Sequence, residues 1–253
     1  MVKRLTLILS VALLFLVTSC NIKTPEIRGL VLDAETKQPV ENAWVTATLE
    51  VYSKTVAGDV HQSLFVGKTW SEKNGRFVIP SKKFEKPSFP ASFKNKIESL
   101  NIAARAITSK GYISEGIGLV EIDEKKQILI YLKPPKDAQY YRSAITGLYD
   151  YILDGRLGVS VPIVPEEERV DVYDLAIEAY ERYLEKYGQT DSYYNDALRE
   201  LGYLYKKRGD YERALKVFKR VKEFDEKRGI TLWLKEYDVQ INEIRQKLLE
   251  KPK

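Results

Sequence analysis

The hydrophobic period of this 253-residue chain changes once, near Pro134 and Pro135. From residue 27 to residue 134, apolar side chains tend to recur at every second position, which predicts β-strands. After residue 137 they recur at intervals of three and four, which predicts α-helices. Side chains alternate between two faces of a strand but share one helical face at every third or fourth position. The sequence therefore predicts two domains, an all-β domain at 27–134 and an all-α domain at 137–253.

The clearest strand pattern of the β domain begins at Ala43. An aliphatic set alternates with a polar and aromatic set, which predicts a half-buried strand with the aliphatic set facing a core. The aliphatic set is Ala43, Val45, Ala47, Leu49 and Val51, and the other set is Trp44, Thr46, Thr48, Glu50 and Tyr52. A turn is predicted at Asn74-Gly75. Further strands are predicted at 76–79, 101–108, 112–122 and 127–132.

Four segments of this domain resemble the carboxypeptidase regulatory-like domain: IRGLVLDAETKQPVENAWVTA, SEKNGRFVIP, KGYISEGIGL and QILIYLKP. The family's conserved positions are met by Gly29, Val31, Asp33, Pro39, Ala43, Val45, Gly75, Phe77, Gly111 and Tyr112. The resemblance implies an immunoglobulin- or transthyretin-like β-sandwich without peptidase activity. One departure is the Lys-, Phe- and Pro-rich stretch 81–98, which predicts a loop longer than the family's usual connection.

Five apolar stripes at helical spacing follow. They begin near Tyr141, Tyr173, Leu198, Tyr211 and Leu234. A helix N-cap is predicted just before the first stripe, at position 137, because an Asp side chain accepts hydrogen bonds from the free N–H groups there. A C-cap is predicted at position 188, after the second stripe, where a glycine stands. The sequence thus predicts five α-helices.

The third and fourth helices, NDALRELGYLYKKRGDYERALKVFKRV, resemble a tetratricopeptide repeat, a unit of about 34 residues. The positions that carry this resemblance are Leu201, Gly202, Tyr205, Ala214 and Phe218. Residues 173–187 resemble the second helix of an earlier, degenerate repeat, and the fifth helix resembles a terminal cap. The resemblance implies a helical stack with a concave protein-binding groove. The side chains expected to face this groove are Asp196, Arg199, Tyr203 and Lys206.

The stretch 154–168, DGRLGVSVPIVPEEE, stands where a tetratricopeptide repeat has only a short turn. Its apolar residues Val159, Val161, Ile163 and Val164 have to be buried somewhere, and its prolines prevent a helix. Two arrangements remain open. The stretch either lies across the β domain and locks the domains together, or edges the helical groove as a docking loop for a partner.

The N-terminus predicts export and lipid anchoring. Lys3 and Arg4 precede an apolar run from residue 5 to residue 17, too short for a comfortable membrane span. The sequence Val17-Thr18-Ser19-Cys20 resembles a bacterial lipobox, and Cys20 is the only cysteine of the chain. This resemblance implies a signal peptide at 1–19, cleavage between Ser19 and Cys20, acylated Cys20, and a linker at 20–26.

Charge and residue types argue against several functions. Loss of the signal peptide takes the formal charge from +5 to +3, which lacks the basic excess of a nucleic-acid binder. The single histidine, His61, is expected in a solvent-facing loop, and no metal site or cofactor site of standard spacing is present. The acidic run 166–168 is expected to form the first turn of the second helix, where negative charge is favourable. The sequence predicts a non-enzyme.

Two binding functions remain. The first is a lipid-anchored scaffold that grips a protein or peptide of the cell envelope with its helical groove. The second is a lipoprotein that binds envelope polysaccharide through the exposed rings of Trp44, Tyr52 and Trp70. These aromatic residues would instead be structural if they packed beneath the helical domain. Asn21 after the acylated cysteine favours an outer-membrane anchor facing the periplasm.

Overall fold

The computed structural model describes residues 22–55, 58–84, 94–119, 127–155, 164 and 166–250. Within these ranges nine β-strands precede five α-helices. The strands are β1 (Ile22–Lys23), β2 (Ile27–Asp33), β3 (Trp44–Thr55), β4 (Gly58–Trp70), β5 (Arg76–Ile79), β6 (Lys83–Phe84), β7 (Lys94–Thr108), β8 (Gly111–Leu119) and β9 (Ile128–Leu132). The helices are α1 (Ala138–Asp154), α2 (Tyr173–Tyr187), α3 (Tyr194–Arg208), α4 (Tyr211–Lys227) and α5 (Leu234–Glu250). The prediction of a β region followed by an α region is confirmed.

Two sheets build most of the β region. One has the order β4-β3-β7-β8 and is antiparallel throughout. The other has the order β5-β2-β9, in which β2 runs antiparallel to β5 and parallel to β9. A single apolar cluster takes side chains from both sheets, including Val45 and Leu49 of β3, Ile79 of β5 and Ile130 of β9. The aliphatic face predicted for β3 is therefore its core face.

The stretch 81–98 is only partly the long loop that the sequence predicts. Strand β6 pairs with β1, and β7 begins at Lys94 instead of Asn101. The added residues of β7 pair with the outer half of β3, where Lys94 lies opposite Lys54. A long β3–β4 hairpin gives β7 this extra pairing surface, which the apolar pattern of β7 alone does not reveal. Residues 85–93 lie outside the described ranges.

The second face of the larger sheet is covered by the helical region. The side chain of Trp44 is 0% exposed and belongs to the helical core cluster, not to the cluster between the sheets. Nearby, Lys68 Nζ lies 2.6 Å from Asp171 Oδ1, and Trp70 Nε1 donates to Asp171 Oδ2 at 3.1 Å. For Trp44 the structural alternative, packing beneath the helical region, is therefore confirmed, and this ring is not exposed for stacking on sugar rings.

Tyr52, the third aromatic residue considered for sugar binding, lies near the far end of the β3–β4 hairpin. Tyr52 is half-buried, and its ring meets the ring of His61 edge to face at a centroid distance of 5.2 Å. His61 is exposed, as expected, but lies within β4 instead of a loop. The predicted loop is wrong because β3 and β4 stay paired as far as Thr55 and Gly58.

Consecutive helices of the α region pack against one another, and their ends follow the predicted caps. Asp137 Oδ1 accepts the N–H of Tyr140 at 2.9 Å at the start of α1. Gly188 follows α2, and its N–H bonds the carbonyl of Leu184. Between α3 and α4 the packing is close at Gly202, where a Cβ atom would lie 3.0 Å from the ring of Phe218.

The acidic run 166–168 does not start a helix of the stack. It forms a separate one-turn 3₁₀ helix, a second such turn spans Val170–Val172, and α2 begins only at Tyr173. Between the two turns lies Arg169, which is 6% exposed and donates to the carbonyl of Ile152 at 2.5 Å. With this turn, the Arg169 guanidinium reaches carbonyl groups in the last turn of α1, which the helix itself leaves partly unsatisfied.

Candidate peptide-binding groove

A cavity of about 660 Å³ lies between α1 and α3, with β7 forming part of its wall. Six charged residues line it, three basic and three acidic: Arg105, Arg142, Asp150, Asp196, Arg199 and Glu200. We call this cavity the α1–α3 groove. Because its charges come from a strand and two helices that are far apart in sequence, only the folded chain brings them together.

The helical period explains why α1 presents a polar face to the groove. Its apolar positions, including Tyr141, Ile145 and Leu148, are buried in the helical core. Positions 142, 143, 146, 147 and 150 fall on another face and line the cavity. One of them is Gly147, where an added Cβ atom would meet nothing within 4 Å apart from its chain neighbours and the nearby backbone of its own helix. The groove therefore has free space directly above the middle of α1.

Glu200 forms the polar floor of the groove together with tyrosine hydroxyls. The Tyr180 hydroxyl donates to Glu200 Oε2 at 2.6 Å, and the Tyr193 hydroxyl donates to the same oxygen. The Tyr193 hydroxyl also lies 3.0 Å from Thr146 Oγ1, which ties α1 to the start of α3. Burial raises the pKa of Glu200, and the two hydroxyl donors oppose that rise by stabilising the carboxylate. This network holds the floor in one arrangement.

The four groove residues expected from the sequence divide into two pairs. Asp196 and Arg199 line the α1–α3 groove, where Arg199 Nη2 lies 2.6 Å from Asp196 Oδ1. The Arg199 guanidinium also stacks over the ring of Trp233, 4.6 Å from its centroid. This half of the predicted set therefore faces a cavity, although its charges already have partners.

Tyr203 and Lys206 instead contact the last helix. The Tyr203 hydroxyl donates to Glu236, and Lys206 Nζ donates to Gln240 Oε1 at 2.6 Å and to Glu243 Oε2 at 2.5 Å. These three partners belong to α5. The pair joins α3 to α5 and does not line the α1–α3 groove.

Sequence reasoning missed Arg105 and Arg142, which complete the basic side of the groove. Arg105 lies between the buried Ala104 and Ala106 on β7, so it points to the helical side of the sheet. Its guanidinium lies 5.4 Å from the Trp44 ring centroid. The strand period places Arg105 opposite the aliphatic face, but only the docked helices show that this face borders a cavity.

The stretch expected as a docking loop is described at one position. Val164 is 3% exposed, packs into the helical core cluster, and its N–H bonds the carbonyl of Gly155 at 3.1 Å. Val159, Val161 and Ile163 lie outside the described ranges, as do Ser19 and Cys20 of the expected lipidation site. Both arrangements proposed for the stretch 154–168 stay predictions.

A larger cavity of about 910 Å³ borders α2 and the turn between α3 and α4. Its arginines are engaged by neighbouring carboxylates: Arg208 binds Asp174, and Arg182 binds Glu178.

Among the described residues, no group of three or more His, Cys, Asp and Glu side chains could hold a metal ion. The helices within the described ranges include none that is long and apolar enough to cross a membrane.

Comparisons with known proteins give little beyond this geometry. No family model matches the chain, and no curated protein matches it. One solved structure that is similar to it is a 9R-lipoxygenase from Cyanothece PCC8801, with 16% identity and a TM-score of 0.22. The similarity covers 70% of this chain and 30% of the lipoxygenase, so the chain spans less than a third of that protein. A TM-score this low carries no argument about fold or activity.

Proposed function

We propose that this chain is a membrane-anchored lipoprotein that acts as a non-catalytic scaffold and binds a protein or peptide of the cell envelope through the α1–α3 groove. The observation that carries the proposal is the cavity of about 660 Å³ between two helices, lined by charged side chains with open space over Gly147. Its volume lies within the range of about 300–1,000 Å³ that is usual for ligand-binding clefts.

The arrangement of elements supports the finer fold assignments that the sequence suggests. Two sheets around one apolar cluster fit a carboxypeptidase regulatory-like sandwich. The close α3–α4 pair, with Gly202 against Phe218, fits a tetratricopeptide repeat. In this reading α1 and α2 form the degenerate earlier repeat, and α5 is the cap. The first helix of each repeat lines the concave side, which agrees with a groove between α1 and α3.

Lipid attachment at Cys20 would place the groove at a membrane surface, and an outer-membrane anchor facing the periplasm is the location that we propose. The β region would then act as a spacer between the anchor and the helices, and as a second wall of the groove through β7. No catalytic step is part of this function, because binding and presentation of a partner need none.

The free space over Gly147 allows a direct test. Photo-crosslinking with benzoylphenylalanine in place of Ser143, which lines the groove, should capture a discrete partner in cells that express the full chain. The same probe in place of Lys216, exposed on α4, should capture far less. Gly147→Phe should fill the groove and abolish capture from position 143.

Gly147→Ala provides the matched control. A methyl group here meets no neighbour, and alanine favours a helix interior over glycine by roughly 0.5–1 kcal/mol. This variant should therefore be slightly more stable and should keep the partner. Capture that survives Gly147→Phe, or that is equal from positions 143 and 216, would contradict the proposed groove.

A further inference from the structure

Arg105 combines a buried, unsatisfied hydrogen-bond donor with a position in the lining of two cavities. Its Nη1 atom is buried and has no hydrogen-bond partner among the residues that the structure describes. The guanidinium lies over the Trp44 ring, and the same side chain borders the α1–α3 groove and a smaller cavity of about 450 Å³ beside α1. A buried donor that stays unsatisfied costs free energy, so such groups are rare in the absence of a functional reason.

Arg142 of α1 lies in the lining of the same groove. Its guanidinium is held over the Tyr193 ring, 5.3 Å from the centroid. No described carboxylate forms an ion pair with either Arg105 or Arg142 within 4.0 Å. The two guanidinium groups therefore border one cavity with donor capacity left for a ligand.

The acidic residues of the groove are engaged to different extents. Asp196 is paired with Arg199, and Glu200 accepts the hydroxyls of Tyr180 and Tyr193. Asp150 is exposed on α1 and also has an interaction partner. Arg105 and Arg142 are thus the two groove arginines without an ion pair to a described carboxylate, although the charge of Arg142 also helps to lower the pKa of Asp191. Asp150 and Glu200 disfavour a ligand that carries several negative charges.

From this geometry we infer that the α1–α3 groove binds a carboxylate group of a partner peptide, with Arg105 of the β region and Arg142 of the α region as its two ligands. The inference rests on the proposed function and names the chemistry of the partner. A carboxylate matches the planar fork of a guanidinium and can accept from two of them at once. The β region is then a part of the binding site as well as a spacer.

The carboxylate has two sources in a peptide, an Asp or Glu side chain and the free C-terminus. Purified full chain in detergent micelles should be applied to two arrays of random decapeptides, one with free C-termini and one with amidated C-termini. Enrichment of Asp and Glu on both arrays indicates side-chain recognition. Binding confined to the free-acid array indicates recognition of the C-terminus.

Substitutions then test whether Arg105 and Arg142 bind the carboxylate, with one peptide selected from the arrays as the probe. Fluorescence anisotropy should show that Arg105→Gln and Arg142→Gln each weaken binding by about tenfold or more, as expected for the loss of a charge-assisted hydrogen bond. The matched controls are Arg76→Gln on β5 and Arg245→Gln on α5, both exposed, and should change affinity by less than about twofold. Replacing the recognised carboxylate of the peptide with an amide should produce a loss as large as that in the arginine variants.

Arg105→Lys separates folding from recognition, because lysine keeps the charge and the apolar stem but not the planar fork. It should fold with an unchanged melting temperature and bind more weakly. If amidated and acid peptides bind equally well, or if both glutamine variants bind like the controls, the inference is wrong while the groove proposal stands. If neither array retains any peptide, or if Gly147→Phe binds as well as the wild type, the proposed function fails as well.

Discussion

The ring of Trp44, on the larger sheet, packs against the ring of Tyr151, in the first helix, with their centroids 4.9 Å apart and their planes at 53°. Both side chains are 0% exposed. This contact joins the β region to the α region, so the two regions share buried surface. Neither the outer face of the larger sheet nor the inner face of α1 would be covered if the regions were separated.

Trp44→Ala should therefore destabilise the whole chain. Loss of a fully buried tryptophan typically costs about 3–5 kcal/mol in the free energy of unfolding. Tyr151→Ala should have a similar effect, and the double variant should cost less than the sum because both changes remove one ring pair. Urea denaturation measures the free energy of unfolding of all three variants.

Tyr140→Ala, at a site 59% exposed, is the control and should change the free energy of unfolding by less than about 0.5 kcal/mol. Independent unfolding of the two regions in the wild type would contradict this view.

Two helical glycines should respond in opposite directions to added side chains. Gly202→Val should cost about 1–3 kcal/mol, because a Cβ atom would lie 3.0 Å from the buried Phe218 ring and α3 would have to move away from α4. Gly147→Ala should stabilise the chain instead, since its Cβ atom meets open space. Thermal unfolding followed by circular dichroism gives both signs. A neutral Gly202→Val would show that α3 and α4 are less tightly packed than their distances indicate.

The pH dependence of stability should carry a contribution from Glu200. Burial raises the pKa of its carboxyl above the usual 4.5, so the folded state binds this proton more tightly than the unfolded state. The associated stabilisation is complete below pH 4.5 and is lost as the pH rises through the folded-state pKa. Glu200→Gln removes the titrating carboxyl, so this variant does not lose that stabilisation as the pH rises. The free energy of unfolding of this variant, relative to the wild type, should therefore increase from pH 4 to pH 7.

Glu185→Gln is a suitable control for that experiment, because Glu185 is an exposed residue of α2. It shows how much the loss of one exposed carboxylate by itself changes the free energy of unfolding. A difference for Glu200→Gln that is flat, or that falls with rising pH, would mean that the two tyrosine hydroxyls outweigh burial and keep the carboxylate ionised.

Cys20→Ala should abolish membrane attachment. The variant lacks the thiol that the lipobox resemblance identifies as the acylation site, so the chain should accumulate in an uncleaved or soluble form. Fractionation after a carbonate wash and a mass measurement of the mature N-terminus provide the readouts. Ser10→Ala, within the apolar run of the signal peptide, should leave processing unchanged. If carbonate washes the wild-type protein off membranes, the predicted lipid attachment at Cys20 is wrong.

The sequence by itself determined where strands give way to helices, and it located most of the elements. The reason is that local periodicity and caps act over a few residues: Asp137 and Gly188 mark helix ends in this structure as their residue types predict. Gly202 and Phe218, which meet between α3 and α4, are among the positions that the sequence singled out through its resemblance to a helical repeat. The early start of β7 was not, because strand pairing with β3 extends it beyond its own apolar pattern.

Only the tertiary structure decided which polar faces became a site. Trp44 and Arg105 occupy the non-aliphatic face of the larger sheet, a face that the strand period alone cannot distinguish from a solvated one. Docking of α1 buries Trp44 completely and leaves Arg105 in the lining of the same groove as Arg142. Periodicity reports which side chains share a face of one element. What that face meets depends on contacts between residues far apart in the sequence, and these are set by the packing of the whole chain.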